Sequence, residues 1–124
     1  MPSNEQLKKA YDAFDEYNSS DPNQEEYKGI VYSKECLYAI RMTEKLHQFA
    51  PDSPEYLLLA ARCQHIGRWE IPRSSYPMDR KGYLQWRSQL KVHHAKIAED
   101  ILTKCGYDKD IIEKVSSLLL KKQL

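Results

Sequence analysis

Residues 53–67, SPEYLLLAARCQHIG, decide the fold. Ser53 is placed to cap a helix, Pro54 loses nothing at the first helical position, where no backbone N–H is needed, and Glu55 complements the helix dipole. LLLAARCQHI is then apolar on nearly all sides, and a helix of that kind lies at the centre of a core. Gln64 and His65, at its C-terminal end, are therefore expected to emerge beside the core, with Gly67 as the terminator.

Working outward toward the N-terminus, a second helix is predicted from Ser33 to about Phe49. The Ser33 hydroxyl caps it, Tyr38, Met42, Leu46 and Phe49 form its buried stripe with Leu37 and Ile40 beside them, and Pro51 ends it. Leu7, Ala10, Tyr11, Phe14 and Tyr17 trace a helical stripe before the turn-forming run NSSDPNQ, residues 18–24. Toward the C-terminus, residues 68–82 fit neither a helical nor a strand period, and Pro72 and Pro77 each push their predecessor away from helix. A long helix follows from about Tyr83 to Lys104, burying Trp86, Leu90, His94, Ile97, Ile101 and Cys105, and Gly106 closes it. Asp108 caps a last helix whose inward face is Ile111, Ile112, Val115, Leu118 and Leu119. No strand signal of any length is present. The expectation is an all-α fold, a single-domain bundle of about five helices with a long Arg/aromatic loop between the third and fourth.

The 124 residues suffice for one domain with a real core and are too few for two. A formal charge of +1 argues against a protein that coats nucleic acid, but the charge is uneven. Residues 1–28 hold three Lys against seven Asp or Glu, whereas residues 62–96 hold eight basic residues against two acidic ones. That concentrates positive potential where an anionic ligand would find it. Cys36, Cys63 and Cys105 have no CxxC or zinc-finger spacing and read as buried thiols in a reducing compartment. The polar start MPSNEQLKKAY and the lack of a long apolar run predict neither secretion nor a membrane span, hence a cytoplasmic protein.

Residues 62–94 carry three of the four histidines, both tryptophans and five of the six arginines. Arginines fork onto phosphate or carboxylate oxygens and stack on aromatic rings, and RWEIPR and YPMDRKGYLQWR supply both halves of that arrangement. The candidate ligand-binding residues are Tyr38, Arg41, Gln64, Arg68, Trp69, Arg73, Tyr76, Arg80, Tyr83 and Arg87. Arg41, Arg68, Arg73 and Arg80 are expected to gather around one pocket and hold a phosphate. His94 lies on the buried stripe of its helix while His93 is turned about 100° away, so the pair cannot aim at one point. His65 and His94 are the candidate catalytic residues, sharing a cavity and moving a proton. A divalent metal is the less favoured role for them, because three or more donors are wanted and nothing in the spacing of Glu35, Glu44, Glu70 or Asp79 singles one out. In the competing reading, Trp69, Tyr76, Tyr83 and Trp86 only pack the loop, and the arginines pair with the acidic N-terminal helix.

QHIGRWEIPRSSYPMDRKGYLQWR, with LYAIRM upstream and LKVHHA and Gly106-Tyr107 downstream, resembles a family of uncharacterised proteins grouped as a domain of unknown function. Some of its members carry a glutamyl-tRNA synthetase label. No synthetase-type nucleotide motif supports that label here, since HIGR lies at a helix end in an all-α pattern. The family in turn is similar to the HD superfamily of helical metal-dependent phosphohydrolases and nucleotide-binding domains. That resemblance places Tyr38 where the superfamily has its first metal-binding His, Gln64 and His65 where it has a His-Asp pair, and His93 or His94 at a further histidine. The loss of the carboxylate removes the charge that holds a divalent ion. The family also continues beyond LLLKKQL, which implies that a C-terminal segment is missing from this chain. The first functional expectation is a small phosphorylated or otherwise anionic, nucleotide-like ligand, bound by an HD-like domain related to phosphohydrolases. The alternatives are a non-catalytic module docking RNA or an acidic protein, and a scaffold forming homo-oligomers.

Overall fold

Five α-helices build the fold, and four of them, with the turn that follows the third, bury apolar side chains in one cluster. The structure, a computed structural model, describes residues 4–121. In chain order these are α1 (Asn4–Asn18), a hairpin of β1 (Gln24–Tyr27) and β2 (Ile30–Ser33), α2 (Lys34–Phe49), α3 (Glu55–Arg62), 3-10 turns at Arg68–Glu70 and Arg73–Ser75, α4 (Arg80–Lys104) and α5 (Lys109–Leu120). The start of MPSNEQLKKAY and the end of LLLKKQL lie outside the described residues. Among the described residues no helix is long and apolar enough to cross a membrane.

The short α3 is the axis. It packs against α1, α2 and α5; Leu59 on it and Cys63 and Ile66 just past its end are fully buried, joined by Phe14, Leu102 and Val115 from the surrounding helices. Burying each Leu, Ile or Phe of this size contributes about 1.5–3 kcal/mol, so this ring of contacts outweighs any single polar interaction in the fold. At the end of α3, Arg62 joins three helices. Its guanidinium grips Asp15 of α1 through Nε (3.0 Å) and one terminal nitrogen (2.7 Å), and the other terminal nitrogen donates to Thr43 Oγ1 of α2 at 3.2 Å. One arginine does pair with the acidic first helix, then, but not one of the four expected to hold a ligand.

Several local expectations are corrected. Ser33 stands at the N-cap of α2 but makes no capping bond, because its hydroxyl donates to the Asn18 carbonyl; the Glu35 N–H is taken up by the buried Asp21 carboxylate, from 14 residues upstream. Ser53 likewise donates to the Ala50 carbonyl, leaving Pro54 at the cap of α3. The buried positions of α2 are Glu35, Leu37, Ala39 and Thr43, and Phe49 is 83% exposed, since the helix outruns the partners that would cover its last turn. Helix α4 starts at Arg80 rather than Tyr83, its cap being Asp79, which accepts from the Gly82 N–H at 2.7 Å. In its second half the fully buried residues are Ala98 and Leu102, with Ile97 and Ile101 at the edge of the core.

The β1–β2 hairpin has no counterpart in the sequence reading. Its turn residues Lys28 and Gly29 both have positive φ, the conformation that matches the right-handed twist of a two-residue hairpin. The lysine there and the brevity of the strands hide it. Residues 68–82 are likewise not formless. Gly67 takes a left-handed conformation (φ 69°), and its N–H donates to the buried Asn18 side chain, turning the chain out of α3. At the other end, a Cβ on Gly82 would lie 1.9 Å from the Pro77 carbonyl oxygen, so only glycine lets the loop backbone close onto α4.

Candidate ligand-binding site

Where α3 gives way to the turns after Arg62, it leaves a cleft against the middle of α4 and the end of α5. The cavity there has a volume of about 340 Å³. Its buried floor is His94, Trp86, Leu90 and Leu119, with Gln64 and His65 alongside. Arg68, Arg87, Lys91 and Lys121 add four cationic side chains to the lining, Tyr83 completes it, and among the described residues no Asp or Glu takes part. Two guanidinium groups are steadied by aromatic faces, Arg68 over Trp86 at 5.2 Å and Arg87 over Tyr83 at 5.9 Å. Trp86 is itself fixed by its indole N–H donating to the Ile71 carbonyl at 2.7 Å.

The imidazoles are neutral. Burial, then the Arg68 guanidinium, His94 and Arg87 hold His65 down to about 3. Burial outweighs the bond to the Ile66 carbonyl and holds His94 down to about 4. That bond, 2.6 Å from Nδ1 to the carbonyl oxygen, requires the neutral ring to carry its proton on Nδ1 and leaves Nε2 as an acceptor. The Tyr38 ring stacks on His65 with centroids 4.0 Å apart, and its hydroxyl donates to Gln64 Oε1 at 3.4 Å. Behind His65 sits Glu35, 6% exposed, with Oε1 3.7 Å from His65 Nδ1 and neither atom hydrogen-bonded. Burial first, and then Asp21, pushes the Glu35 carboxyl up to about 6.

The structure thus brings Gln64, His65, Arg68, Tyr83, Arg87 and His94 together around one cavity, with Tyr38 directly behind. The expected gathering of four arginines does not occur. Of those four only Arg68 lines the cavity. Arg41 lies over Tyr27 of the hairpin at 5.2 Å. Arg73 is a strut: it donates to the carbonyls of Tyr76, Pro77 and Asp79 while lying over Tyr83 and Trp86, and so fastens the loop to α4. Arg80 is exposed at the start of α4. Trp69 faces Tyr17 at 6.0 Å, and Tyr76 lines a separate surface depression. The reason is local: Pro72, Pro77 and the 3-10 turns fold the loop back on itself, satisfying its carbonyls with Arg73. Lys91 and Lys121 are not singled out by the sequence, and Glu35 stands there only as one carboxylate among four. The helical period from Arg87 to Lys91 would have found the first, whereas the other two are set by how α5 and α2 pack.

Tyr38 and Gln64 offer a phenol and a carboxamide beside His65, and among the described residues no three His, Cys, Asp or Glu side chains converge to hold an ion.

Fold and site together define a small helical domain with a cation-lined, histidine-floored cavity. Over residues 8–124 the chain matches the family described as Domain of unknown function (DUF4202), and it belongs to that family. No curated protein and no solved structure matches it.

Proposed function

We propose that this domain binds a small phosphorylated or otherwise anionic molecule in the cavity between α3, α4 and α5. One observation carries the reading: among the described residues four cationic side chains and no Asp or Glu line a cleft whose size is that of a small-molecule site. A surface that merely needed solvation would mix both signs of charge. Neither Arg68 nor Arg87 forms an ion pair within 4 Å among the described residues, which leaves their N–H donors available to an incoming anion. Their placement over Trp86 and Tyr83 reduces the side-chain freedom that binding would otherwise cost.

His65 and His94, held neutral, are suited to accept a hydrogen bond from a group held by the cations. Hydrolysis of a phosphate ester is the reaction that such an arrangement supports. The domain's helical scaffold and the meeting of Tyr38, Gln64 and His65 favour an HD-like ancestry in which the metal chemistry has been replaced.

Calorimetric titration with inorganic phosphate tests the reading. Binding is expected, together with a rise in melting temperature, because only a solute that binds the native state raises it. The Arg68→Gln/Arg87→Gln double variant should weaken that binding at least tenfold. Phosphate affinity indifferent to the double variant sinks the proposal. Incubation with a panel of phosphate esters, with and without divalent cations, tests turnover. Phosphate release no greater than that of His65→Ala removes hydrolysis while leaving binding intact. Binding of RNA instead, weakening steeply with salt, would favour the docking module.

A further inference from the structure

The cavity offers more than positive charge. His94 has its Nδ1 proton committed to the Ile66 carbonyl, so its remaining nitrogen is a bare acceptor. His65 is constrained in the same sense by a different group. Its Nδ1 is buried without a partner and faces the equally unpartnered Oε1 of Glu35 across 3.7 Å. A carboxylate can only accept, so a proton on Nδ1 is attracted by Glu35 and a lone pair there is repelled. Asp21, Lys34 and Arg68 are the other charges acting on this carboxyl, which remains ionised at pH 7.5. Nε2 of either ring has no hydrogen-bond partner among the described residues and is not sealed in the core.

Resting on the anion-binding reading above, we propose that Glu35 is a positioning residue. It holds the His65 proton on Nδ1, so that His65 and His94 present two bare Nε2 acceptors and select a hydroxyl-bearing phosphomonoester over phosphate itself. The two rings lie 5.9 Å apart, centroid to centroid, close enough for one polyhydroxyl ligand to meet both. The phosphoryl group meets the guanidinium and ammonium groups, and the hydroxyls donate to the imidazoles. The class is therefore a sugar phosphate, or the sugar-phosphate part of a nucleotide. A hydroxyl donating to Nε2 makes the opposite N–H a stronger donor, which draws Glu35 and His65 into the hydrogen bond they lack.

Nitrogen-resolved NMR of the histidine rings at pH 7.5 reads the tautomers directly. The expected spectrum shows both His65 and His94 protonated on Nδ1. Glu35→Leu, which removes the acceptor without adding a buried polar group, should move the His65 proton to Nε2. Glu35→Gln keeps an oxygen that can accept and should restore the original tautomer. Titrations with inorganic phosphate, ribose 5-phosphate and ribose complete the test. Ribose 5-phosphate is expected to bind about tenfold tighter than phosphate in the wild type and in Glu35→Gln, and to lose that advantage in Glu35→Leu. A His65 proton on Nε2 in the wild type overturns the proposal, as does a preference that Glu35→Leu leaves unchanged. If phosphate binds and ribose 5-phosphate binds no better, the selection by hydroxyls is wrong and the anion site stands. If neither phosphate nor ribose 5-phosphate binds, both readings fall.

Discussion

Two histidine–carboxylate pairs flank the same stretch of chain, and they have been finished differently. At His93, Nε2 lies 2.9 Å from Glu70 Oε1, and the same oxygen accepts the Tyr17 hydroxyl at 2.7 Å. The pair is partly exposed, closed, and shared by three elements; it ties α1 and the turn after Gly67 to α4. At His65, the partner carboxylate is 3.7 Å away and buried, and both facing atoms lack hydrogen bonds. Leaving buried polar atoms unpaired costs about 1–3 kcal/mol each, so a fold keeps such a gap only against strong packing. Here the Tyr38 ring stacks on His65 at 4.0 Å, with His94 5.9 Å away, and holds it at the cavity. Identical residue types thus serve as a fastening in one place and as an unsatisfied site in the other.

Acid should separate the two most strongly. Both cavity imidazoles sit below the ordinary value of 6.5, at about 3 for His65 and about 4 for His94. Between those values and 6.5 the unfolded chain binds more protons than the native one. Their contribution is therefore complete above pH 6.5 and is lost as the pH falls toward 3. Glu35, raised to about 6, works the other way, since the native state takes up its proton first as the pH drops from 6 toward 4.5. The imidazoles are displaced further, and they win. Urea unfolding at pH 7.5 and pH 4.5 should show a loss of several kcal/mol; stability that stayed flat would mean that His65 and His94 are not buried as described.

A smaller effect of opposite sign sharpens the contrast. Glu35→Gln removes a buried charge and keeps its shape. The displacement of Glu35 from 4.5 to about 6 corresponds to about 2 kcal/mol of stabilisation in the variant at pH 8. Below pH 4.5 variant and wild type should coincide, and a variant less stable than wild type at pH 8 would show Glu35 to be paired after all. At the closed pair, Glu70→Gln should cost about 1 kcal/mol, discounted for exposure. It should also bring Tyr17, held up at about 12 by burial and then by Glu70, back toward 10 in an ultraviolet titration of tyrosinate. The smallest change is His93→Gln, expected to cost less than about 1 kcal/mol and to leave phosphate affinity untouched, since His93 does not line the cavity. A loss of phosphate binding there would erase the distinction between the pairs.

The sequence alone determined the five helices and the centrality of residues 57–66, because long apolar periodicities leave a chain few other ways to bury them. It also pointed to Gln64, His65 and His94, since residues at the end of a buried helix and on a buried stripe must meet near the core. Helical period was enough to bring Arg87 and Tyr83 to the same face. What only the tertiary structure decided was which charges matter. Arg73 and Arg80 look equivalent to Arg68 along the chain, yet loop carbonyls claim Arg73 and solvent takes Arg80. Glu35 was one carboxylate among several until α2 packed beside α3 and set it behind His65. Burial and pairing are properties of three-dimensional neighbours. Side chains of the same type, a few residues apart, acquire different roles because the distance along the chain does not fix the distance to the next charge.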